Sequence, residues 1–511
     1  MVAFPEYNYI AVLAVIFGFC FAFGIGANDV ANAFGSSVSA CSLKLWQAII
    51  LGAIMEFTGA VLLGSNVTGT IRGKIIETEF YEDEPEVFMF GSLCSLMIGF
   101  AWLMIATANE FPVSTTHDIV GSYLGFTIAA HGVQLVDWHM TGKIFISWGA
   151  APILSGIFAG LFFKLLLEFV LKSENTFNRA LHVYPIVVFV ALGCNIFFIL
   201  FKSDNNIEMD EWDYAHRVVI PCTFGGATLF GGLTYFFLVP YLEKRVTVEH
   251  NEAERIRANE ADADNEKTLN KEESDGAYDS DKKDPNVVEN EDKTENSKNM
   301  IIMAWNWFAN NTFNQDLHTI SLAESRRAAA IWEKTTEFDL KSERLFQYLQ
   351  IFTACLASFA HGANDVANAI APVAGVLHIW KYGDFASKAD VNKGILAMGG
   401  FAIGLGFLLY GYKIVKAVAF KLTAISPLRG FCIELGAALA VSLSSYMQIP
   451  VSTTQCLVGA TCGVGLVSGG VGNVEWHFLF RTFTGWVFIF FVVGLVNAGF
   501  FSFCVFSPSM Q

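Results

Sequence analysis

The sequence predicts an all-α polytopic membrane protein of about twelve transmembrane helices, in two inverted-topology repeats with broken or half-helices at two repeated motifs. Three observations predict this fold: an apolar composition, a series of apolar segments of helix length, and an internal duplication. Of the 511 residues, 53% are hydrophobic and 16% charged, and the mean hydropathy is +0.45. A soluble domain needs a more charged surface than this. The composition therefore indicates a chain that lies largely in lipid.

The acidic net charge of −16 is concentrated in one segment. Residues 249–298 hold 17 Asp and Glu against 8 Lys and Arg, which accounts for −9 of that charge. Because this segment has no periodic apolar face with which to bury surface, we predict a disordered acidic linker over residues 246–300. Residues 301–345 have apolar and aromatic positions at roughly helical spacing, and we predict cytoplasmic or interfacial helices there.

The apolar segments divide into two groups around this linker. A helix that crosses the hydrocarbon core needs about 20 apolar residues. By that rule seven spans lie in an N-terminal membrane half over residues 1–245, and five lie in a C-terminal half over residues 346–511. Their approximate centres are residues 18, 55, 98, 122, 156, 192 and 228, then 360, 404, 438, 460 and 492. Helices are expected because a strand edge exposed to lipid would leave backbone groups unpaired.

Basic residues on both sides of the linker predict the orientation of the chain, since Lys and Arg favour the cytoplasmic side. These residues are Lys244, Arg245, Arg326, Arg327, Lys334, Lys341 and Arg344. The linker is therefore predicted to be cytoplasmic. With seven spans before it and five after it, both termini are predicted to lie outside. We expect a multi-pass protein of the plasma membrane, in contact with lipid, with no nucleic-acid partner and with a homodimer left open.

Two motifs each occur twice in the chain. Residues 26–33 read GANDVANA and so do residues 362–369, while PVSTT occurs at 112–116 and at 450–454. Seven predicted spans separate the starts of the two copies, and an odd number means that the copies enter the membrane from opposite faces. Inverted duplications recur in secondary transporters, which place substrate and ion sites near the midplane. The Gly and Ala of the first motif could also serve close helix packing.

The first motif supplies oxygen ligands for a small cation. Its carboxylates and amides in the two copies are Asn28, Asp29 and Asn32, and Asn364, Asp365 and Asn368. Polar groups at membrane depth usually face an interior cavity and mark an ion or substrate path. Small hard cations favour such oxygens, and a backbone break at the motif glycine would add carbonyl ligands. We predict a cation site at each copy.

The second motif is typical of a helix start. Proline tolerates the first helical turn, and Ser or Thr caps the free amides behind it. The N-terminus of a helix offers N–H donors and a positive dipole, which suit an anion. We predict that two such starts converge on one tetrahedral oxyanion. The residues concerned are Ser114, Thr115 and Thr116, and Ser452, Thr453 and Thr454.

Two further carboxylates, Glu56 and Glu434, lie inside predicted spans. A buried carboxylate needs a cation, a partner or a proton. Arg429 is about one turn before Glu434 and could pair with it, whereas Glu56 has no basic residue within two turns, which favours an ion or proton role. The interior polar residues His117, His361 and Gln455 fit a structural role as well as a ligand role.

No Lys or Arg lies in the middle of a predicted span. A bound anion must therefore be held by hydroxyls, amides and bound cations. Without a cation, Asp29 and Asp365 would repel the anion, and with one they would support it. This arrangement predicts that cation and anion move together.

Both GANDVANA copies, both PVSTT copies and the acidic central loop resemble the inorganic phosphate transporter (PiT) family, over residues 1–245 and 345–511. The resemblance implies a twelve-helix symporter that couples phosphate to sodium or to protons, without enzyme activity or a resident cofactor. It implies that Asn28, Asp29, Asn364 and Asp365 help to bind sodium and that both PVSTT motifs bind phosphate. It also marks Glu56 and Glu434 as functionally sensitive.

Four alternatives remain open at this point. A proton-coupled phosphate transporter, or a sulfate transporter, could be built on the same scaffold. A channel would need a continuous polar stripe in several spans, and outside the repeated motifs the sequence has none. A transceptor would use the acidic linker for signalling.

Overall fold

The computed structural model describes residues 2–29, 31–74, 81–202, 211–274, 325–336, 338–385, 391–418, 422–447, 449 and 451–507. In the N-terminal half its helices are α1 (Asn8–Asp29), α2 (Ala31–Ser39), α3 (Leu45–Lys74), α4 (Pro85–Ala108), α5 (Thr115–His131), α6 (Trp138–Leu166), α7 (Thr176–Lys202), α8 (Glu211–Tyr214), α9 (Ile220–Leu233) and α10 (Val239–Ser274). They are followed by α11 (Arg326–Lys334), α12 (Leu340–Tyr382), α13 (Lys393–Val418), α14 (Pro427–Tyr446), α15 (Thr453–Gly469) and α16 (Trp476–Phe506). These ranges contain no strand.

The all-helical membrane fold predicted from the sequence is confirmed. Among the described residues, ten helical segments are long and apolar enough to cross a membrane. The helices α5 and α12 are not among the ten, and the predicted span centres at residues 122 and 360 fall in these two. The count of twelve crossings and the inverted relation of the halves stay predictions.

The two sequence halves interlock through glycines at helix crossings. A Cβ at Gly26 of α1 would clash with the carbonyl oxygen of Ile403 in α13, and a Cβ at Gly362 of α12 would clash with that of Glu56 in α3. The reciprocal glycines of these crossings are Gly406 and Gly59. The motif glycines thus let backbones approach closely, as small residues do between membrane helices.

Two large apolar cores and one small cluster result from this packing among the described residues. The larger one joins helices of both halves, with Phe21 of α1, Val366 of α12 and Phe407 of α13 in its interior. The second is built around α6, α7, α14 and α15, with Phe163 and Phe431 buried in it. Both cores therefore draw on both sequence halves.

The predicted break at the first motif is wrong for the second copy. Helix α12 runs from Leu340 to Tyr382 through all of residues 362–369. Gly362 packs against α3 there, so its lack of a Cβ serves the crossing and its backbone stays helical. At the first copy α1 ends at Asp29 and α2 begins at Ala31, with Val30 outside the described residues.

Residues 246–300 were predicted to be disordered, but residues 246–274 are helical and form the rest of α10, which ends at Ser274. Glu, Lys, Arg and Ala are good helix formers, and pairs four residues apart support a solvated helix. Arg245 and Glu249 form such a pair at 2.9 Å. Residues 275–300 of the predicted linker and 301–324 of the predicted interfacial helices lie outside the described residues, while 326–334 form α11.

Candidate functional site

Asp29 lies at the C-terminal end of α1 and is 1% exposed. Its carboxylate accepts hydrogen bonds from the Thr115 hydroxyl at 2.9 Å and from the Thr454 hydroxyl at 3.0 Å. One donor belongs to the first PVSTT copy and the other to the second. The Asp29 carboxylate of the first GANDVANA copy is thus hydrogen-bonded to both PVSTT copies.

Asp365, the equivalent residue in α12, has a different set of neighbours. It accepts from the side-chain amide of Asn364 at 2.9 Å and from the Thr453 hydroxyl at 3.1 Å. Its Oδ2 also lies 2.7 Å from Nε2 of His361. One ligand atom from each of Asp29, His361 and Asp365 can be chosen so that all three lie within 4.8 Å of one another. The two predicted cation-binding carboxylates therefore share one buried location.

The motif asparagines position the polypeptide around these carboxylates. Asn28 donates to the Thr107 hydroxyl and the Phe111 carbonyl, both at 3.0 Å, and accepts from the Val113 N–H at 3.0 Å. It holds the connection between α4 and α5 in place. Asn368 donates to the Thr115 hydroxyl at 3.1 Å and so links α12 to α5. The side chain of Asn32 lies outside the described residues.

Both predicted helix starts are confirmed. Ser114 is the N-cap of α5, accepting from the His117 N–H, and Ser452 is the N-cap of α15, accepting from the Gln455 N–H. The six Ser and Thr residues of the two motifs are buried. The caps follow from the local sequence, because a Ser that precedes a helix satisfies amides that would otherwise be unpaired.

The two starts also contact each other reciprocally. The Thr116 hydroxyl donates to the Val451 carbonyl at 3.3 Å, and the equivalent Thr454 hydroxyl donates to the Val113 carbonyl at 3.3 Å. One position further on, His117 and Gln455 meet, with 3.2 Å between their Nε2 atoms. The two helix starts thus lie next to each other, and their binding of one oxyanion stays a prediction.

Glu56 of α3 has a basic partner that lies far away in the sequence. Its carboxylate accepts from the Ser358 hydroxyl at 2.9 Å and lies 2.9 Å from Nδ1 of His361. Because the other ring nitrogen of His361 faces Asp365, a chain of polar groups runs from Glu56 to the central carboxylates. The sequence around Glu56 contains no basic residue, so it gave no sign of its pairing with His361.

The Glu434 carboxylate of α14 is surrounded by hydrogen-bond donors other than those around Asp29 and Asp365. It accepts from Ser36 at 2.6 Å, Ser37 at 2.8 Å, Thr353 at 2.6 Å and Gln350 at 3.3 Å. These donors come from α2 and α12, so Glu434 joins three helices. Buried carboxylates are supported by such hydrogen bonds.

The pairing of Arg429 with Glu434, left open by the sequence, is not what the structure shows. Arg429 donates to the Thr336 carbonyl at 2.7 Å and to Ser468 at 3.2 Å. Its guanidinium also lies over the Phe338 ring, 4.7 Å from the centroid. A cavity of about 30 Å³ lies beside the second motif copy, lined by His361 and Thr453 and by small residues of α12 and α14. It has room for at least one water-sized species.

Asp118, in the first turn of α5, was missed in the sequence. It is fully buried and has no Lys, Arg or His ion partner among the described residues. A carboxylate in an apolar helix is by default a candidate for function, and this signal was available. His117, one residue before it, stacks on Trp148 with centroids 3.6 Å apart, which fits a structural role.

Comparisons with known proteins show which family the chain resembles. The model of the phosphate transporter family matches residues 25–497. The chain is 30% identical to the phosphate-repressible phosphate permease pho-4 of Neurospora crassa, with 96% of each chain covered. It is 30% identical to the chloroplastic inorganic phosphate transporter 2-1 of Arabidopsis thaliana, covering 89% of this chain and 65% of that one. A solved structure of a sodium-dependent phosphate transporter aligns with a TM-score of 0.72 and 26% identity, over 98% of this chain and 100% of that one.

Proposed function

The chain belongs to the phosphate transporter family, and from this membership we propose that it is a symporter that imports inorganic phosphate together with sodium by alternating access. The observation that carries the proposal is the Asp29 carboxylate, which accepts hydroxyls from both PVSTT helix starts. It joins the predicted anion site to the predicted cation site through two hydrogen bonds. The sodium dependence of the solved relative supports the choice of ion.

The geometry offers a physical reason for coupling. The Thr115 and Thr454 hydroxyls donate to Asp29, and the Thr453 hydroxyl donates to Asp365. A sodium ion favours the same carboxylate oxygens, so its binding would compete with these hydrogen bonds and release the hydroxyls. The released hydroxyls, with the N–H groups at both helix starts, could then donate to phosphate. Sodium would also cancel the charge with which the carboxylates repel the anion.

A proton-coupled mechanism is the second candidate, and one observation favours it. Each ring nitrogen of His361 lies within 2.9 Å of a carboxylate oxygen, from Glu56 on one side and Asp365 on the other. A protonated ring would place a positive charge between the two carboxylates, whereas a neutral ring would not. Loss of that proton would change the charge next to the central carboxylates.

Uptake of radiolabelled phosphate into proteoliposomes tests the proposal. An inward sodium gradient should drive accumulation against the phosphate gradient, and an equal potassium gradient should not. Accumulation that needs only a proton gradient would show that the coupling ion is the proton and not sodium. Sodium flux without phosphate accumulation would instead point to a channel.

Selectivity among oxyanions gives a second prediction. Near neutral pH phosphate keeps one or two O–H donors, whereas sulfate keeps none, so acceptors at the site favour phosphate. Sites that need a substrate hydroxyl can reject an analogue without it by about 10⁴-fold. We expect arsenate to compete with phosphate and sulfate in large excess not to. Equal inhibition by sulfate would support the sulfate-carrying alternative.

The predicted topology gives a third prediction. Glu82 is exposed in the connection between α3 and α4, which is predicted to lie outside. A tag inserted at Glu82 should be labelled on intact cells. Labelling that requires permeabilisation would mean that the predicted orientation of the whole chain is reversed. The side on which every other loop lies follows from the number of spans between it and this one. The Asn66 sequon is predicted to face the same side, and its side chain lies outside the described residues.

A further inference from the structure

The hydroxyl of Ser114, the N-cap of α5, has two nitrogen atoms of one residue beside it. The backbone N–H of His117 donates to Ser114 Oγ at 3.4 Å, and Nδ1 of the His117 ring lies 2.7 Å from the same oxygen. A hydroxyl has two lone pairs and one proton. Whether Nδ1 carries a hydrogen therefore decides what the Ser114 proton can do.

The second repeat contacts the other nitrogen of this ring. The side-chain amide nitrogen of Gln455 lies 3.2 Å from Nε2 of His117, across 338 positions of the sequence. An amide nitrogen can only donate, so Nε2 accepts, and the single proton of the neutral ring is on Nδ1. Nδ1 then donates to Ser114 Oγ and fills its second lone pair. The Ser114 proton is thereby directed away from the ring and can be given to a ligand.

The His117 ring is also held in this orientation by packing. It stacks on Trp148 of α6 with the ring centroids 3.6 Å apart and the planes 20° from parallel. Trp148 in turn packs against Phe145 and Phe490, at 5.0 and 5.3 Å between centroids. His117 and Gln455 are 1% and 2% exposed. Bulk water therefore does not compete for the hydrogen bonds between the ring, the amide and the hydroxyl.

We propose that His117 and Gln455 are positioning residues that keep the Ser114 hydroxyl as a donor to phosphate. This inference rests on the proposed function, in which Ser114 binds the anion. A Gln455 amide turned the other way would put the ring proton on Nε2, and Nδ1 would then accept from Ser114. A lone pair of Ser114 would be left for the anion, which repels it.

The two caps are therefore not equivalent. Ser452 accepts from the Gln455 N–H at 3.3 Å, as Ser114 does from His117. The Ser452 cap lacks the ring contact, because residue 455 is Gln and its side chain lies at His117. Phosphate near neutral pH carries acceptor oxygens as well as O–H groups. One fixed donor and one hydroxyl that can donate or accept suit such a ligand.

Nitrogen-15 NMR of the detergent-purified protein, labelled at its histidines, reads the tautomer without phosphate. The His117 signals are identified by their absence in His117→Phe or His117→Asn. We expect Nδ1 to be protonated and Nε2 to be unprotonated. Gln455→Met removes the amide donor and should shift the ring towards the Nε2–H form. A ring protonated on Nε2 in the unaltered protein would overturn the proposal.

Phosphate binding to the same protein in sodium chloride, measured by the rise in unfolding temperature, tests the effect on the ligand. His117→Phe keeps a ring on Trp148 but removes both nitrogens. We expect the half-saturating phosphate concentration to rise about tenfold, as for a lost hydrogen bond to a charged group. The matched control is His139→Phe, at an exposed position near the start of α6, which should leave phosphate binding unchanged.

A double-variant cycle separates positioning from packing. In a Ser114→Gly background, which a helix cap tolerates, His117→Phe should have no further effect on phosphate binding, because both changes act on one hydroxyl. A full tenfold loss in that background would show that His117 acts through packing and would overturn the proposal, as would unchanged binding in His117→Phe alone. If the unaltered protein did not bind phosphate, this inference and the proposed symport would both be wrong.

Discussion

Asp29→Asn and Asp365→Asn are each expected to abolish sodium-driven phosphate uptake while the protein stays folded. Asparagine keeps the shape of the side chain and can still accept from Thr115 or Thr453, but it lacks the charge that attracts a cation. Removing one partner of a buried charge interaction costs about 3–5 kcal/mol, and each 1.4 kcal/mol is about tenfold in binding. We therefore expect uptake at the sodium concentration that half-saturates the unaltered protein to fall at least about 100-fold.

The two variants should differ in one respect. Asp29 accepts from both PVSTT copies, whereas Asp365 also faces His361. Asp365→Asn should therefore alter the dependence of residual activity on pH more than Asp29→Asn does. The matched control is Asp83→Asn, which changes an exposed carboxylate before α4. Proteoliposome uptake over a range of sodium concentrations, with size-exclusion profiles as a check of folding, would measure this. Normal sodium dependence in either central variant would remove that residue from the cation site.

Gly26→Ala and Gly362→Ala are expected to destabilise the protein strongly. Alanine in place of an exposed helical glycine normally adds about 0.5–1 kcal/mol of stability. Here the new Cβ would clash with a backbone carbonyl of the crossing helix, that of Ile403 or that of Glu56. A backbone atom cannot move aside as a flexible side chain can, and overpacking costs about 1–3 kcal/mol or more.

The control for this prediction is Gly142→Ala in α6, where no atom lies within 4 Å of the added Cβ. The unfolding temperature in detergent should fall for both motif variants and should stay constant or rise for the control. Gly362→Ala should also reduce uptake, because Glu56 lies at the contact. An unchanged unfolding temperature in Gly26→Ala would mean that α1 and α13 are packed less closely than the structure shows.

Local signals in the sequence predicted the helices and their starts. The caps at Ser114 and Ser452 needed only the residues beside them, and the apolar segments needed only their length. Helix α10 was missed because a charged composition suits both a disordered chain and a solvated helix. The uninterrupted α12 was missed because a glycine can serve either a backbone break or a close crossing, and only the position of α3 decides between them.

Contacts between distant segments were beyond the sequence. His361 meets Glu56 across 305 positions, and the Thr454 hydroxyl reaches Asp29 across 425 positions. The repeat predicted that equivalent residues play equivalent roles. It did not predict that Asn28 and Asn364 have different partners, because their surroundings differ: Asn28 holds the connection before α5, while Asn364 donates to Asp365.

The crossed packing of the two halves has a consequence for biosynthesis. The surface of α1 around Gly26 is filled by α13, and that of α3 around Gly59 by α12. These partners are translated roughly 300 residues or more later, which at about 5–20 residues per second corresponds to a delay of roughly 15–75 seconds. During that interval the hydrophobic segments of the N-terminal half have unfilled contact faces. Truncated chains that end in the central linker should therefore be recognised as incomplete by membrane quality control, and supplying the missing segment as a separate polypeptide should protect them from degradation.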